Sequence, residues 1–169
     1  MTDLMLAAIR ARWGETPPFD AVAGAETAGI PWAALLAERL AWPLRYVRKR
    51  PLGIGRNAQV EGGNVDGLRV LLVDDLAADG NSKVAFARGL RAAGAIVTDA
   101  IVLFEYRVFP GTEERLSRLG LALRALAGWT DILSAPEAAT LAPEDRAEIV
   151  AFLHDPVAWS KDHGGRLAP

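Results

Sequence analysis

The run Val70-Leu71-Leu72-Val73 is apolar at every position, without the alternation of a half-exposed strand. It predicts a strand covered on both faces, as in the interior of a parallel sheet. Asp74 and Asp75 come where that strand should end, a loop of small residues follows, and Lys83 to Ala93 reads as a helix. Further apolar runs at Asp20 to Ala23, Leu44 to Val47, Ala100 to Phe104 and Leu121 to Ala127 predict strands. Between and beyond them, Ile30 to Leu40, Thr112 to Leu119, Pro143 to Leu153 and Pro156 to Lys161 read as helices, three of them with a proline near the start. Asp3 to Trp13 reads as an amphipathic helix, with Leu4, Ala7, Ala8 and Ala11 on one face. Pro51 to Gly67 is rich in Gly and Asn and has no apolar period, so it reads as a long loop. Strands alternating with helices imply an α/β fold, a parallel sheet flanked by helices on both faces. Ligands then collect at the C-terminal edge of the strands.

The residues at that edge suggest a chemistry. Ionised Asp74 and Asp75 only accept hydrogen bonds, which suits them to sugar hydroxyls and not to a phosphate. The loop after them, Ala77-Ala78-Asp79-Gly80-Asn81-Ser82, lets a backbone approach an anion closely and leads into a helix N-terminus, where free N–H groups bind phosphate. Ser82 can either cap the helix or donate to the anion. A ribose bearing a 5-phosphate has both kinds of group. A second small-residue loop, Gly24 to Gly29, precedes Pro31. Its composition fits a pyrophosphate-holding loop, and equally an ordinary strand-to-helix turn. Arg48-Lys49-Arg50 enters the long loop and can close over a polyphosphate, or simply be a solvated basic run. Arg107, just past a strand end, can pair bidentately with a substrate carboxylate, or lie on the surface.

Composition narrows the classes. The 169 residues suit one domain spanning 1–169, and the formal net charge of −2 gives no electrostatic case for a nucleic-acid partner. The chain has no cysteine, so disulfides, thiolate metal sites and cysteine nucleophiles are excluded. No run is long and apolar enough for a membrane span, and no signal peptide is recognisable, so a cytoplasmic protein is expected. Gly53-Ile54-Gly55-Arg56-Asn57-Ala58 matches the dinucleotide fingerprint in letters, but no helical pattern follows it. Val70 to Asp75 also looks like the first strand of a receiver domain. Glu105 stands where that fold needs an aspartate, and Lys161 is the only lysine after it.

The stretch from Val70 to Lys83 resembles the 5-phosphoribosyl 1-pyrophosphate (PRPP) motif of the type I phosphoribosyltransferases. Val22 to Pro31, Tyr46 to Gly62, Phe109 to Leu116 and Phe152 to Gly165 are similar to successive pieces of bacterial orotate phosphoribosyltransferases, in the same order. The resemblance implies transfer of the phosphoribosyl group of PRPP to orotate with release of pyrophosphate, and Mg2+ carried on PRPP. By resemblance, Asp74 and Asp75 hold the ribose hydroxyls, and Ala77, Ala78, Asp79, Gly80, Asn81 and Ser82 cradle the 5-phosphate. Glu26, Thr27, Ala28 and Gly29 would line the pyrophosphate, and Arg48 and Lys49 match its cationic partners. The family's site is commonly completed by a loop of a second subunit, which implies a homodimer.

The chain also departs from that family. Leu52 stands where members usually carry a catalytically important lysine, Ala78 where a threonine is usual, and Asn81 where a small residue is. The N-terminal segment that usually helps cover orotate is expected to be missing. Two readings follow: a phosphoribosyltransferase for orotate or another base, and a PRPP-binding paralogue with impaired catalysis. The intact Asp74-Asp75 pair and Gly80 fit both; Leu52 fits the second.

Overall fold

The computed structural model describes residues 1–51 and 59–165. The chain runs α1 (Thr2–Trp13), β1 (Ala21–Ala25), α2 (Gly29–Leu40), β2 (Leu44–Val47), β3 (Val60–Glu61), β4 (Val70–Ala77) and α3 (Asn81–Ala92). It continues through β5 (Asp99–Glu105), α4 (Thr112–Arg118), β6 (Ala122–Gly128) and α5 (Trp129–Ser134). A 3-10 helix (Pro136–Thr140), α6 (Pro143–His154) and α7 (Pro156–Asp162) follow. The six strands form one sheet in the order β3-β2-β1-β4-β5-β6.

The pairs β1–β2, β1–β4, β4–β5 and β5–β6 are parallel, as the alternation implied. The exception is β3, which lies in the span expected to be structureless and runs antiparallel to β2, with Tyr46 opposite Glu61 and Val47 opposite Val60. A two-residue strand is too short to show a period. The expectations on Leu52 and on the Gly53 to Ala58 fingerprint fall outside the described residues.

Two cores sit on opposite faces of the sheet. On one face Val70 and Leu72 of β4 pack with Phe86, Ala87 and Leu90 of α3 and Leu116 of α4. On the other, Leu71 and Val73 pack with Met5, Leu6 and Ile9 of α1 and Ala33 and Leu36 of α2. All four residues of the apolar run Val70 to Val73 are fully buried, the environment the unbroken run predicted. The face expected for α1 is wrong. Leu4, Ala7 and Ala11 are exposed, and Met5, Leu6 and Ile9 are the residues that pack inward. Alanines bury little area, so the larger Met5 and Ile9 decide the orientation.

The central strand is longer than its apolar run. It passes through both acids to Ala77, because β5 keeps pairing with it beyond Val73, with Asp74 opposite Val102 and Ala77 opposite Glu105. On its other side, β1 stops pairing at Val73. The crevice of the fold therefore opens beside Asp74. The chain leaves β1 into α2 on one face of the sheet and leaves β4 into α3 on the other, which makes the β1–β4 junction the topological switch point.

Candidate active site

Asp74 is 6 % exposed and ends the fully buried part of β4. Its Oδ1 accepts from the Asp75 backbone N–H at 2.9 Å, and its Oδ2 accepts from Lys83 Nζ at 2.6 Å. Burial pushes the Asp74 carboxyl above the ordinary carboxylate range, while the Lys83 ammonium pulls it down. Asp75 is the next residue on the strand and half-buried, so the two acids face opposite sides of the sheet.

The loop from Ala78 to Gly80 is short because α3 starts at Asn81, two residues earlier than the apolar pattern suggests. Gly80 caps it with φ 77°, a left-handed conformation that other residues adopt only at a cost. Ser82 is therefore inside the first turn and does not cap the helix. Asp79 folds back on the loop, its Oδ1 accepting from Asn81 N–H at 3.1 Å and its Oδ2 from the Asn81 amide. Arg115 of α4 donates to the Asp79 carbonyl from outside.

Across the switch point, β1 extends through Gly24 and Ala25, so the second loop is only Glu26, Thr27 and Ala28 before α2 begins at Gly29. The Glu26–Thr27 peptide is cis. Thr27 and Ala28 are exposed, whereas Gly29 is buried against β4. A Cβ there would lie 2.4 Å from the Val73 carbonyl oxygen. The absence of a side chain lets the α2 start touch the acidic strand.

The expected cations part company. Arg48 is fastened: its Nε donates to Glu61 Oε1 at 2.6 Å, its guanidinium lies 3.5 Å from Glu26 Oε1, and it stacks 5.1 Å over the Tyr46 ring. The Tyr46 hydroxyl donates to the same Glu61 oxygen at 2.7 Å. The hydrogen bond from Tyr46 and then that from Arg48 hold the Glu61 carboxyl below its usual range. Lys49 and Arg50 are exposed, and the Lys49 backbone N–H donates to Glu26 Oε2 at 2.7 Å. Arg107 stands past the end of β5 with φ 54°, exposed, its Nε donating to Glu105 Oε2 at 2.8 Å. It borders a groove of about 990 Å3 between α4 and the β5–β6 face. That groove does not reach Asp74, so the acids belong to the open crevice and not to this cavity.

The structure thus brings Asp74, Asp75, the Ala78–Ser82 turn and the Glu26–Gly29 turn to one edge of adjacent parallel strands. Three contributors escaped the sequence reading: Lys83, Arg115 and Glu61. Lys83 left a signal, because it shares a stripe with Phe86, Ala87 and Leu90 at spacings of three, four and seven, and a single charge in an apolar stripe demands a buried partner. Glu61 and Arg115 act through contacts distant in sequence and left none.

Residues 5–113 match the family model described as phosphoribosyl transferase domain. An orotate phosphoribosyltransferase of Dinoroseobacter shibae is 48% identical over 146 residues, which cover 86% of this chain and 65% of the relative. The chain thus spans less than two thirds of that relative's length. The crystal structure of orotate phosphoribosyltransferase from Aeropyrum pernix superposes with a TM-score of 0.65 at 39% identity, covering 78% of this chain and 71% of the other. Leishmania donovani UMP synthase gives a TM-score of 0.71 at 28% identity, covering 89% of this chain and 32% of that one.

Proposed function

We propose that this chain, which belongs to the phosphoribosyl transferase domain family, transfers the phosphoribosyl group of Mg2+-bound PRPP to orotate. The bond from ribose C1 to the pyrophosphate oxygen breaks, a bond from C1 to a ring nitrogen of orotate forms, and pyrophosphate leaves. The product is orotidine 5′-monophosphate, a step of pyrimidine nucleotide synthesis. The observation that supports this best is the placing of a hydroxyl-accepting acid pair on β4 beside two anion-accepting turns at the switch point of the sheet.

In this reading Asp74 and Asp75 accept from the ribose hydroxyls, and the turn from Ala78 to Ser82, which follows Ala77 at the buried end of β4, holds the 5-phosphate. Glu26, Thr27, Ala28 and Gly29 line the pyrophosphate. Lys49, exposed at the crevice rim, supplies its positive charge, with Arg48 as a fixed cation behind it. Arg107 pairs with the orotate carboxylate. Charge builds up on the leaving pyrophosphate as the C1 bond loosens, and preset N–H groups and cations lower that barrier. The metal arrives with the substrate. The protein works as a homodimer in the cytoplasm; among the described residues no helix is long and apolar enough to cross a membrane.

The test is orotate absorbance followed over time with the protein, PRPP and Mg2+. A protein-dependent fall that needs both PRPP and Mg2+ is expected. A flat trace from protein with a cooperative melt overturns the orotate assignment, and a calorimetric titration with PRPP then tells a binding paralogue from a relic.

A further inference from the structure

Lys83 is the largest fully buried side chain among the described residues, 1 % exposed. Its Nζ reaches Asp74 Oδ2 at 2.6 Å and Ser82 Oγ at 3.0 Å. Stability does not account for it, since a buried ion pair replaced by well-packed apolar residues often leaves a protein equally stable or more so. Directionality does. An ammonium has three protons and no lone pair, so it can only donate. Ser82, accepting from Lys83, keeps its own hydroxyl proton for another acceptor. Asp74, deprived of Lys83, would be a buried carboxyl without a cation, and such a group takes up a proton and becomes a donor.

We propose that Lys83 is a positioning residue of the ribose 5-phosphate site, its ammonium keeping Asp74 a hydroxyl acceptor and turning the Ser82 proton toward the phosphate. One buried cation thereby orients a group in each half of the site: the acid on β4 and the hydroxyl in the first turn of α3. This rests on the reading that Asp74 meets a ribose hydroxyl and that the Ala78–Ser82 turn meets the phosphate.

The experiment compares ribose 5-phosphate with 2,3-dideoxyribose 5-phosphate, which keeps the phosphate and the anomeric hydroxyl and lacks the 2- and 3-hydroxyls, by ligand-detected NMR. The wild-type chain is expected to prefer ribose 5-phosphate by about tenfold or more, the size of a hydrogen bond to a charged group. Lys83→Met, checked by a cooperative melt, is expected to lose that preference. A lysine that only supported the fold would weaken both ligands equally and leave the ratio intact, and an intact ratio overturns the inference. Should Lys83→Met not fold, Lys83→Gln, which keeps an amide donor for Asp74, serves as the same test. Its ratio is expected to fall partway, and an unchanged ratio overturns the inference. Failure of the wild type to bind ribose 5-phosphate, or to prefer it, sinks the site reading itself, an outcome separate from a wild-type preference that survives the loss of Lys83.

Discussion

Gly29 and Asp74 are in contact across the switch point: a Cβ on Gly29 would lie 2.9 Å from both Cα and Oδ1 of Asp74. The first residue of α2 therefore sets where the first acid of the pair can sit. Gly29→Ala must push one of them away, against backbone and not a flexible side chain. A loss of roughly 1–3 kcal/mol in stability is expected, as for overpacking elsewhere in proteins. PRPP affinity is expected to fall more than stability alone explains. Calorimetric titration beside a melt separates the two, and full affinity at reduced stability would show that the Gly29 contact does not shape the site.

Arg107 and Asp75 lie on neighbouring strand ends but serve different ligands in the proposed reaction. Arg107→Ala is expected to raise the KM for orotate about tenfold or more, the cost of a charge-assisted hydrogen bond, and to leave the KM for PRPP nearly unchanged. Initial rates with each substrate varied in turn give both values. An effect confined to PRPP would remove Arg107 from the base site.

Asp20 and Arg69 join the start of β1 to the residue before β4, with Asp20 Oδ2 accepting from the Arg69 backbone at 2.9 Å and Oδ1 from its guanidinium at 2.9 Å. These hydrogen bonds, the side-chain one first, lower the Asp20 carboxyl from 3.8 to about 2. A depressed carboxyl stabilises the fold above its unfolded value, and that contribution vanishes as pH falls through the folded value. The melting-temperature gap between wild type and Asp20→Asn is therefore expected to be constant at neutral pH. It should close as pH drops from 3.8 toward 2. A gap independent of pH over that window would show that the pair does not titrate as described.

Arg91 closes the far end of α3. Its guanidinium donates to Val97 O at 3.1 Å, to Leu119 O at 2.6 Å and to Gly120 O at 3.1 Å, tying two helix-to-strand turns together. Arg91→Ala is expected to cost about 2 kcal/mol, since the carbonyls lose charge-assisted partners. The substrate KM values should hold, because these turns lie at the opposite end of the strands from the acids. A denaturant melt and one kinetic run check both halves of the statement.

Much of the architecture is legible in the sequence because burial on both faces leaves an unbroken apolar signature, as Val70 to Val73 show. Asp74, Asp75 and Gly80 are legible for a related reason: charge and φ > 0 at a strand-to-helix passage have few structural uses. What escapes is decided by distant partners. Nothing near Glu61 says that it will hold Arg48, and nothing near Ala77 says that β5 will draw the strand past its acids. The aromatic column of Phe104, Tyr106, Trp129, Phe152 and Trp159 assembles from strand ends and C-terminal helices far apart in the chain. The inward side of α1 is missed because alanine is neutral to burial.

The reversed strand β3 has a bearing beyond the site. An open parallel sheet offers its outermost strand to any passing chain of matching direction, a route to uncontrolled polymer growth. Here the outermost strand on that flank is two residues long, runs the other way, and is followed by Gly62 and Gly63 at φ 94° and 125°. A foreign strand finds little length to zip onto there. The hairpin that fastens Arg48 therefore also acts as a terminator, limiting how many strands this sheet can recruit.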